Sequence, residues 1–130
     1  MNIIITGGTG FIGYHLAIKH LELGDKVYIL DNLYKNKGEK DSQLKDLLLK
    51  KDIHLLSVDM TKEIDINIIS IEIDIIYHLA AINGTELFYQ IPYEVAMSNM
   101  LITINLLKFL EKKKAKKLIF SSTSEVYAGG

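Results

Sequence analysis

Short apolar runs alternate with amphipathic stretches along the chain, and this alternation predicts an α/β fold with a doubly wound parallel sheet. Two further observations support this fold class. A glycine-rich turn directly follows the first apolar run, and Asp31 and Asp59 close the second and third runs. In a doubly wound parallel sheet, such turns and acids collect at the edge where ligands bind.

Each predicted strand is a short apolar run bounded by polar residues. Residues 2–5 are almost entirely apolar, as expected for a strand that is buried on both faces. The other predicted strands cover residues 27–30, 53–58, 74–79 and 117–120.

Helical spacing of apolar residues predicts the helices between these strands. The first helix carries a stripe of Phe11, Ile12, Leu16, Ile18, Leu21 and Leu23 and ends at Gly24. A short helix is expected around Leu44, Leu47 and Leu48, and another over the isoleucine-rich segment 64–73. A long helix is expected over 93–111, where the helical spacing is kept by Val95, Leu101, Ile104, Leu107 and Leu110. Residues 32–41, and the segment from Asn83 to Pro92, are expected to be loops.

Composition and charge exclude several classes of function. The chain has 130 residues, 48% of them apolar, which predicts one domain over residues 1–130 with a sizeable core. Its formal net charge of -1 argues against nucleic acid as the main partner. It has no Cys, which excludes disulfides, thiolate metal sites and thiol catalysis. No apolar stretch reaches the ~18 residues of a membrane span, so we expect a soluble, cytoplasmic protein.

The turn 6–13 carries the spacing of a dinucleotide-binding loop. Gly8, Gly10 and Gly13 fit G-x-G-x-x-G, and Gly7, Gly10 and Gly13 fit G-x-x-G-x-x-G. Such glycines allow a sharp turn and let backbone N–H groups approach a pyrophosphate at the positive end of a helix. The context strengthens this weak motif, because the turn joins a predicted strand to a predicted helix.

Asp31 ends the second predicted strand at about the spacing where a carboxylate accepts hydrogen bonds from a ribose. A carboxylate at this point repels a 2′-phosphate, and the chain has no Arg that could compensate, so NAD is favoured over NADP. Asp59 ends the third predicted strand and could face an adenine, although an ordinary acidic residue after a strand remains an alternative.

Taken together, these segments resemble the NAD-dependent epimerase/dehydratase family, the extended short-chain dehydrogenases that act on sugar nucleotides. The resemblance covers essentially the whole chain. It is carried by Thr6-Gly7-Gly8-Thr9-Gly10-Phe11-Ile12-Gly13, Asp31-Asn32, Asp59, His78-Leu79-Ala80-Ala81, Asn99 and the segment 121–127. It implies a Rossmann-type sheet, truncated here after the fifth strand, without the family's C-terminal substrate domain.

The resemblance also implies a set of cofactor-binding residues. It assigns the pyrophosphate to the glycine turn, the ribose to the acid after strand two, the adenine to the acid after strand three, and the nicotinamide side to the segment after strand four. In this order, the matching residues are Gly7, Gly10, Phe11, Ile12, Asp31, Asn32, Asp59, Met60, Leu79, Ala80 and Ala81, with Asn99 on the following helix.

Thr123 matches the family's Ser/Thr that polarises the sugar's C4 oxygen, and Glu125 is a second catalytic candidate as an acid or base near C5. The run of hydroxyls at 121–124 also fits ordinary turns and helix caps. The family's Tyr-x-x-x-Lys pair is absent from the sequence. We therefore expect an NAD-binding portion of a nucleotide-sugar epimerase, dehydratase or decarboxylase that is inactive alone.

Two alternatives remain open at this stage. One is a non-catalytic dinucleotide-binding module that is completed by, or regulates, a partner chain, or that forms a homo-oligomer. The other is a fragment with no stable fold, whose last strand would be an unprotected edge. No metal site is expected from the four His residues, and the lysines of 112–117 are expected to be a solvated helix end.

Overall fold

The computed structural model describes residues 1–34 and 41–127. They form a five-stranded sheet in the order β3-β2-β1-β4-β5, in which every neighbouring pair is parallel. The strands are β1 (Asn2–Thr6), β2 (Lys26–Asp31), β3 (Ile53–Ser57), β4 (Ile73–His78) and β5 (Ala115–Phe120). The predicted Rossmann-type, doubly wound parallel sheet is confirmed.

Both faces of the sheet are covered, which explains the continuous apolar runs of the inner strands. Successive side chains of β1 point to opposite faces, so Ile3 and Ile5 pack with Leu44 and Leu47 on one side. Ile4 packs on the other side with a second group that includes Leu106. The strands are thus held by two apolar layers rather than one.

In the described residues, four helices connect or flank the strands. They are α1 (Phe11–Glu22), α2 (Ser42–Leu48), α3 (Thr85–Gln90) and α4 (Pro92–Lys112). The side chain of Asp41 caps α2 by accepting a hydrogen bond from the backbone N–H of Leu44. The segment 83–92 was expected to be a loop, but it holds α3, which is too short to give a clear periodic signal.

The segment 64–73 is not the predicted helix. Only Ile66–Ile68 forms a single 3-10 turn, capped by Asp65, and β4 begins at Ile73. Ile64 and Ile69 are buried in the layer beneath α4. The apolar residues of this segment pack against one side of the core, but the backbone between them is irregular. Their spacing therefore matches neither the helical nor the strand period.

The predicted stripe of α1 matches its packed face only in part, with Leu16, Ile18 and Leu21 half-buried against the core. Phe11 is 82% exposed and Ile12 67% exposed, whereas the buried residues of α1 are Gly13, Ala17 and His20. At the start of α1 the close approach requires a small residue, since a Cβ on Gly13 would lie 2.5 Å from Cα of Gly8. The exposed pair at the start of α1 therefore lies at the open side of the glycine turn.

The helical spacing predicted α4 correctly but only part of its buried side: Val95 is buried and Leu110 is half-buried against the core, as expected. Leu101, Ile104 and Leu107 are exposed. The buried residues of α4 are Val95, Ile102, Asn105, Leu106 and Phe109. Apolar residues on more than one side of a helix make its buried face ambiguous in sequence.

β5 lies at an edge of the described sheet, with Leu118 and Phe120 partly exposed. Two of the nearby lysines form ion pairs, Lys112 with Glu63 and Lys116 with Asp74. Within residues 1–34 and 41–127, no helix is long and apolar enough to cross a membrane. The predicted loop at 32–41 lies in part outside the described residues.

Candidate dinucleotide-binding site

The carboxyl ends of β1 and β4 lie side by side, with Thr6 in register with His78. β1 is flanked by β2 on one side and β4 on the other, so the chain reverses its winding direction here. Open α/β sheets bind ligands at such a switch point, outside the carboxyl ends of the strands. The predicted site residues after β1, β2, β3 and β4 all follow carboxyl ends of this one sheet.

Three glycines of the turn after β1 are required by its geometry. Gly7 has φ +67°, and a Cβ there would lie 2.8 Å from the backbone of Ala80. A Cβ on Gly8 would lie 2.8 Å from the side chain of Ile29, and one on Gly13 would lie 2.5 Å from Cα of Gly8. The turn is thereby packed tightly between β2, α1 and the segment after β4.

Gly10 differs from these three because it is less tightly enclosed. The nearest neighbour of a Cβ at this position would be the carbonyl oxygen of Gly7 at 3.3 Å, and the φ of -74° suits any residue. Gly10 begins α1 as the N-cap, with no side-chain cap and no acidic residue in the first turn. A helix start with uncapped N–H groups and a glycine approach is suited to an anionic phosphate.

The carboxylate of Asp31 lies beside this turn and is oriented by it. Oδ2 accepts hydrogen bonds from the Thr9 hydroxyl at 2.7 Å and the Thr9 backbone N–H at 3.1 Å, while Oδ1 accepts from the backbone N–H of Leu33 at 2.8 Å. The neighbouring Asn32 is exposed, and its Oδ1 accepts from the backbone N–H of Tyr34. Sequence reasoning identified Asp31 but missed Thr9, whose position inside the glycine motif was the available signal.

Asp59 and Met60 follow β3 and face different surroundings. The carboxylate of Asp59 accepts from the hydroxyl and backbone N–H of Thr61, and the hydroxyl bond, with a smaller contribution from Lys62, lowers the pKa of Asp59. The side chain of Met60 is buried in the core, and its carbonyl accepts from Asn105. Of this pair, only Asp59 presents its side chain near the surface.

The segment after β4, residues 79–82, is fixed at both ends. The backbone N–H groups of Leu79 and Ala80 donate to the Thr6 hydroxyl at 3.2 and 3.1 Å. At the other end, Asn99 on α4 accepts from the N–H of Ile82 at 2.7 Å and donates to its carbonyl at 2.9 Å. The segment therefore presents Leu79, Ala80 and Ala81 beside the glycine turn on a rigid backbone.

His78 lies beneath this segment and is 3% exposed. Its Nδ1 lies 2.8 Å from the hydroxyl of Thr6, and its Nε2 lies 3.1 Å from the hydroxyl of Thr103. Burial lowers its pKa, so the ring is neutral at neutral pH. The sequence predicted that His78 packs rather than ionises, but it gave no sign of Thr6 or Thr103 as partners.

Thr123 and Glu125 follow β5, which ends at Phe120. Thr123 is exposed, and its carbonyl accepts from the backbone N–H of Val126 in the 3-10 turn Ser124–Tyr127. The side chain of Glu125 lies outside the described structure. In the part of the chain that the structure describes, no three His, Asp or Glu side chains group as a metal site would require.

A model of the NAD dependent epimerase/dehydratase family matches residues 3–130. The chain belongs to this family. The match covers the glycine turn, the acid after β2 and the segment after β4.

Individual relatives agree with this family. The chain is 39% identical over 127 residues to a UDP-N-acetyl-alpha-D-glucosaminuronate decarboxylase of Bacillus cytotoxicus, covering 98% of this chain and 38% of that protein. It is 30% identical to the UDP-glucose 4-epimerase of Bacillus subtilis, covering 98% of this chain and again 38% of the relative. The chain therefore spans about two fifths of the length of the curated relatives it matches.

Solved structures give the same result. A UDP-glucose-4-epimerase from Stenotrophomonas maltophila, with bound NAD and formylated UDP-arabinopyranose, superposes with a TM-score of 0.83 at 26% identity, over 98% of this chain and 38% of that one. The UDP-glucose 4-epimerase of Bifidobacterium longum, in complex with NAD+ and UDP, gives 0.80 at 28% identity, with the same shares covered. Both neighbours hold NAD on a sheet of this architecture.

Proposed function

We propose that this chain is the NAD-binding portion of a nucleotide-sugar epimerase, dehydratase or decarboxylase. The observation that carries the proposal is the Asp31 carboxylate, held by Thr9 beside an open, uncapped helix start. A carboxylate there suits the two ribose hydroxyls, and the N–H groups of the helix start suit a pyrophosphate. Membership of an NAD dependent family and the NAD-bound structural neighbours support it.

The residues of the site fit a dinucleotide. Gly10 leaves a space that a Cβ would occupy, and the exposed Phe11 and Ile12 flank it. Within this proposal the cofactor contacts come from the backbone at the glycine turn and from the residues after β2, β3 and β4. The proposed set is Gly7, Gly10, Phe11, Ile12, Asp31, Asn32, Asp59, Met60, Leu79, Ala80, Ala81 and Asn99. Asn99 acts by holding Ile82, and Met60 by its backbone, since its side chain is buried.

NAD is the proposed cofactor rather than NADP. The Asp31 carboxylate would face a 2′-phosphate with like charge, and the chain has no Arg to offset the repulsion. When bound, NAD would supply the hydride-accepting group for oxidation of a sugar carbon. The protein supplies the position of the ribose, the anion-binding turn and the rigid segment 79–82.

Catalysis is proposed only for a complete enzyme. In such an enzyme the Thr123 hydroxyl would donate a hydrogen bond to the sugar's C4 oxygen, and Glu125 would act as an acid or base near C5. No Tyr-x-x-x-Lys pair occurs in the sequence to supply the general base of the family reaction. The proposal therefore includes no turnover by these residues alone. It also treats residues 1–130 as one NAD-binding domain, in a cytoplasmic protein.

Calorimetric titration of the purified chain with NAD and with NADP tests the proposal. We expect micromolar binding of NAD, weaker binding of NADP, and loss of NAD binding in Asp31→Ala. Asp46→Ala removes a carboxylate from the exposed side of α2 and is expected to bind like the unchanged chain. A folded chain that binds neither nucleotide would overturn the proposal.

A second candidate function is that of a dinucleotide-binding module completed by another polypeptide. Exposed apolar side chains along α4 favour it, among them Met100, 60% exposed, and Ile104, 42% exposed. They lie on the helix that precedes the edge strand β5, whose Phe120 is 58% exposed. A polypeptide that carries a further strand and helix of the same fold would cover both.

This second function can be tested by reading the coding sequence that follows Gly130 for a Tyr-x-x-x-Lys frame and co-expressing that product. We expect the two products to co-purify and to turn over a UDP-sugar together. Met100→Lys combined with Ile104→Lys is expected to abolish co-purification. Leu49→Lys changes an equally apolar, 84% exposed residue at the end of α2 and is expected to leave it unchanged. Turnover by the chain without any partner would overturn the candidate.

A further inference from the structure

We infer that His78 is a positioning residue for the cofactor site: a neutral imidazole, protonated at Nε2, that fixes the segment 79–82 through the hydroxyls of Thr6 and Thr103. The inference rests on the proposed function in one respect, namely that this segment borders a bound dinucleotide. The hydrogen-bond arrangement stands on the geometry of the chain itself.

The hydrogen bonds of the Thr6 hydroxyl determine whether Nδ1 of His78 carries a proton. A hydroxyl has one proton to donate and two lone pairs to accept with. The N–H of Ala80 donates to the Thr6 hydroxyl at 3.1 Å, and the N–H of Leu79 is shared between this hydroxyl and the Thr6 carbonyl, at 3.2 Å from each. The Thr6 proton is therefore donated to Nδ1 of His78, 2.8 Å away, and Nδ1 is the unprotonated nitrogen.

The hydrogen bonds of the Thr103 hydroxyl show that Nε2 carries the ring proton. The Thr103 hydroxyl donates its proton to the carbonyl of Asn99, one turn earlier on α4, at 3.2 Å. It therefore accepts from Nε2 of His78, 3.1 Å away, so Nε2 carries the proton. Both ends of the ring specify the same tautomer, and each hydrogen bond in the series has one donor and one acceptor.

The series connects the two groups that hold the segment. Thr6 holds Leu79 and Ala80, and Asn99 holds Ile82 through both atoms of its side-chain amide. His78 bridges them across the sheet and α4. Since the backbone of Ala80 lies against Gly7, a shift of the segment would also change the shape of the glycine turn.

Protonation of His78 is incompatible with this arrangement. A proton on Nδ1 would point at the Thr6 oxygen, which already accepts from the N–H of Ala80 and shares that of Leu79, so the Thr6 hydroxyl would have to reorient and its bonds to the segment would weaken. The side chains that contact the ring through its hydrogen bonds and ring packing are uncharged: the hydroxyls of Thr6 and Thr103, and Phe120 of β5 at 5.4 Å between ring centroids. The lowered pKa of His78, caused by burial, agrees with a ring that stays neutral.

Nitrogen-15 NMR of the histidine ring tests the tautomer without any cofactor. We expect Nδ1 of His78 to show the signal of an unprotonated acceptor and Nε2 that of a protonated donor at neutral pH. The opposite tautomer, or a charged ring at neutral pH, would overturn the inference. The unchanged chain suffices for this measurement, so it does not depend on a variant that folds.

Substitutions at Thr103 test positioning. Thr103→Val keeps the shape but removes the acceptor for Nε2–H, and we expect faster amide exchange at Leu79 and Ala80 and NAD binding weaker by about tenfold. Thr103→Ser keeps the hydroxyl and is expected to restore both. If Thr103→Val shows the same amide exchange at Leu79 and Ala80 and the same NAD affinity as the unchanged chain, the proposed positioning role of His78 is wrong. If the unchanged chain binds no NAD, both the proposed function and the role of His78 in cofactor binding are wrong. The nitrogen-15 signals of the His78 ring and the amide exchange of Leu79 and Ala80 would still show whether His78 positions the segment 79–82.

Discussion

The hydroxyl of Thr9 donates a 2.7 Å hydrogen bond to Oδ2 of Asp31, joining the glycine turn after β1 to the end of β2. The two residues are 22 positions apart in sequence, and the backbone N–H of Thr9 donates to the same oxygen at 3.1 Å. The turn proposed to hold the pyrophosphate thus orients the carboxylate proposed to hold the ribose. Residues inside the glycine motif therefore contribute side chains as well as flexibility.

Thr9→Val tests this coupling, because valine keeps the shape of threonine and removes the hydroxyl. The Asp31 carboxylate would lose one of the hydrogen bonds that fix its orientation. We therefore expect NAD affinity to fall by about tenfold, equivalent to ~1.4 kcal/mol. Thr9→Ser should restore the bond and most of the affinity. Calorimetry with the three proteins measures the effect, and equal affinity of Thr9→Val and the unchanged chain would show that Asp31 needs no orientation by Thr9.

Two glycines of the same turn should respond differently to alanine. In Gly13→Ala the added carbon would lie 2.5 Å from Cα of Gly8, a backbone atom that cannot move alone, so we expect a loss of stability of about 2 kcal/mol or more. In Gly10→Ala the nearest atom is the Gly7 carbonyl oxygen at 3.3 Å, a tight contact that a small shift relieves, so we expect a clearly smaller loss of stability but weaker NAD binding. Urea unfolding and calorimetry separate the two effects; equal stability losses would contradict the assignment of Gly10 to ligand approach.

Asp25 should be a stability residue at the opposite end of the sheet. It is 5% exposed, and its two carboxylate oxygens pair with the N-terminal ammonium at 2.6 Å and with Nδ1 of His20 at 2.7 Å. The hydrogen bond from His20, and next the one from the ammonium, lower the pKa of Asp25 below 3.8. This stabilisation is present above the unfolded-state pKa and is lost as the pH falls through the lower folded-state value.

Asp25→Asn removes the charge from this buried pairing. We expect it to lower the free energy of unfolding at neutral pH by about 2 kcal/mol, and the Tm by roughly 8 °C for a domain of this size. Asp46→Asn, on the exposed side of α2, should change neither. Thermal unfolding followed by circular dichroism compares the three proteins, and an Asp25→Asn variant as stable as the unchanged chain would show that the charge of Asp25 contributes nothing to stability.

The sequence predicted most of the sheet and the main polar features of the candidate site, because both depend on local pattern. Buried parallel strands are short apolar runs, and the glycine turn and Asp31 follow directly from such runs. The partners of these residues were not predictable. Thr6 meets His78 across 72 positions, a contact fixed by strand pairing that a linear pattern does not contain.

The buried faces of the helices were predicted less well. On α4, Ile102 is 8% exposed and the adjacent Leu101 37% exposed, although both are apolar and fit a helical spacing. On α1, Gly13 and Ala17 face the sheet, and they carry little hydrophobic signal. Where apolar residues surround a helix or small ones form the contact, periodicity locates the helix without identifying its packed side.

His78 should give the stability of the chain a pH dependence near neutrality. Its pKa is lowered in the folded state by burial, so between that value and 6.5 the unfolded state binds more protons. Stability should therefore be highest above 6.5 and should decline as the pH falls toward the folded-state pKa, by about 1.4 kcal/mol for each tenfold difference in proton affinity. Urea unfolding at a series of pH values measures this decline. His78→Gln should flatten it, while His54→Gln, at an exposed position on β3, should leave it unchanged. A His78→Gln profile parallel to that of the unchanged chain would mean that other groups cause the pH dependence.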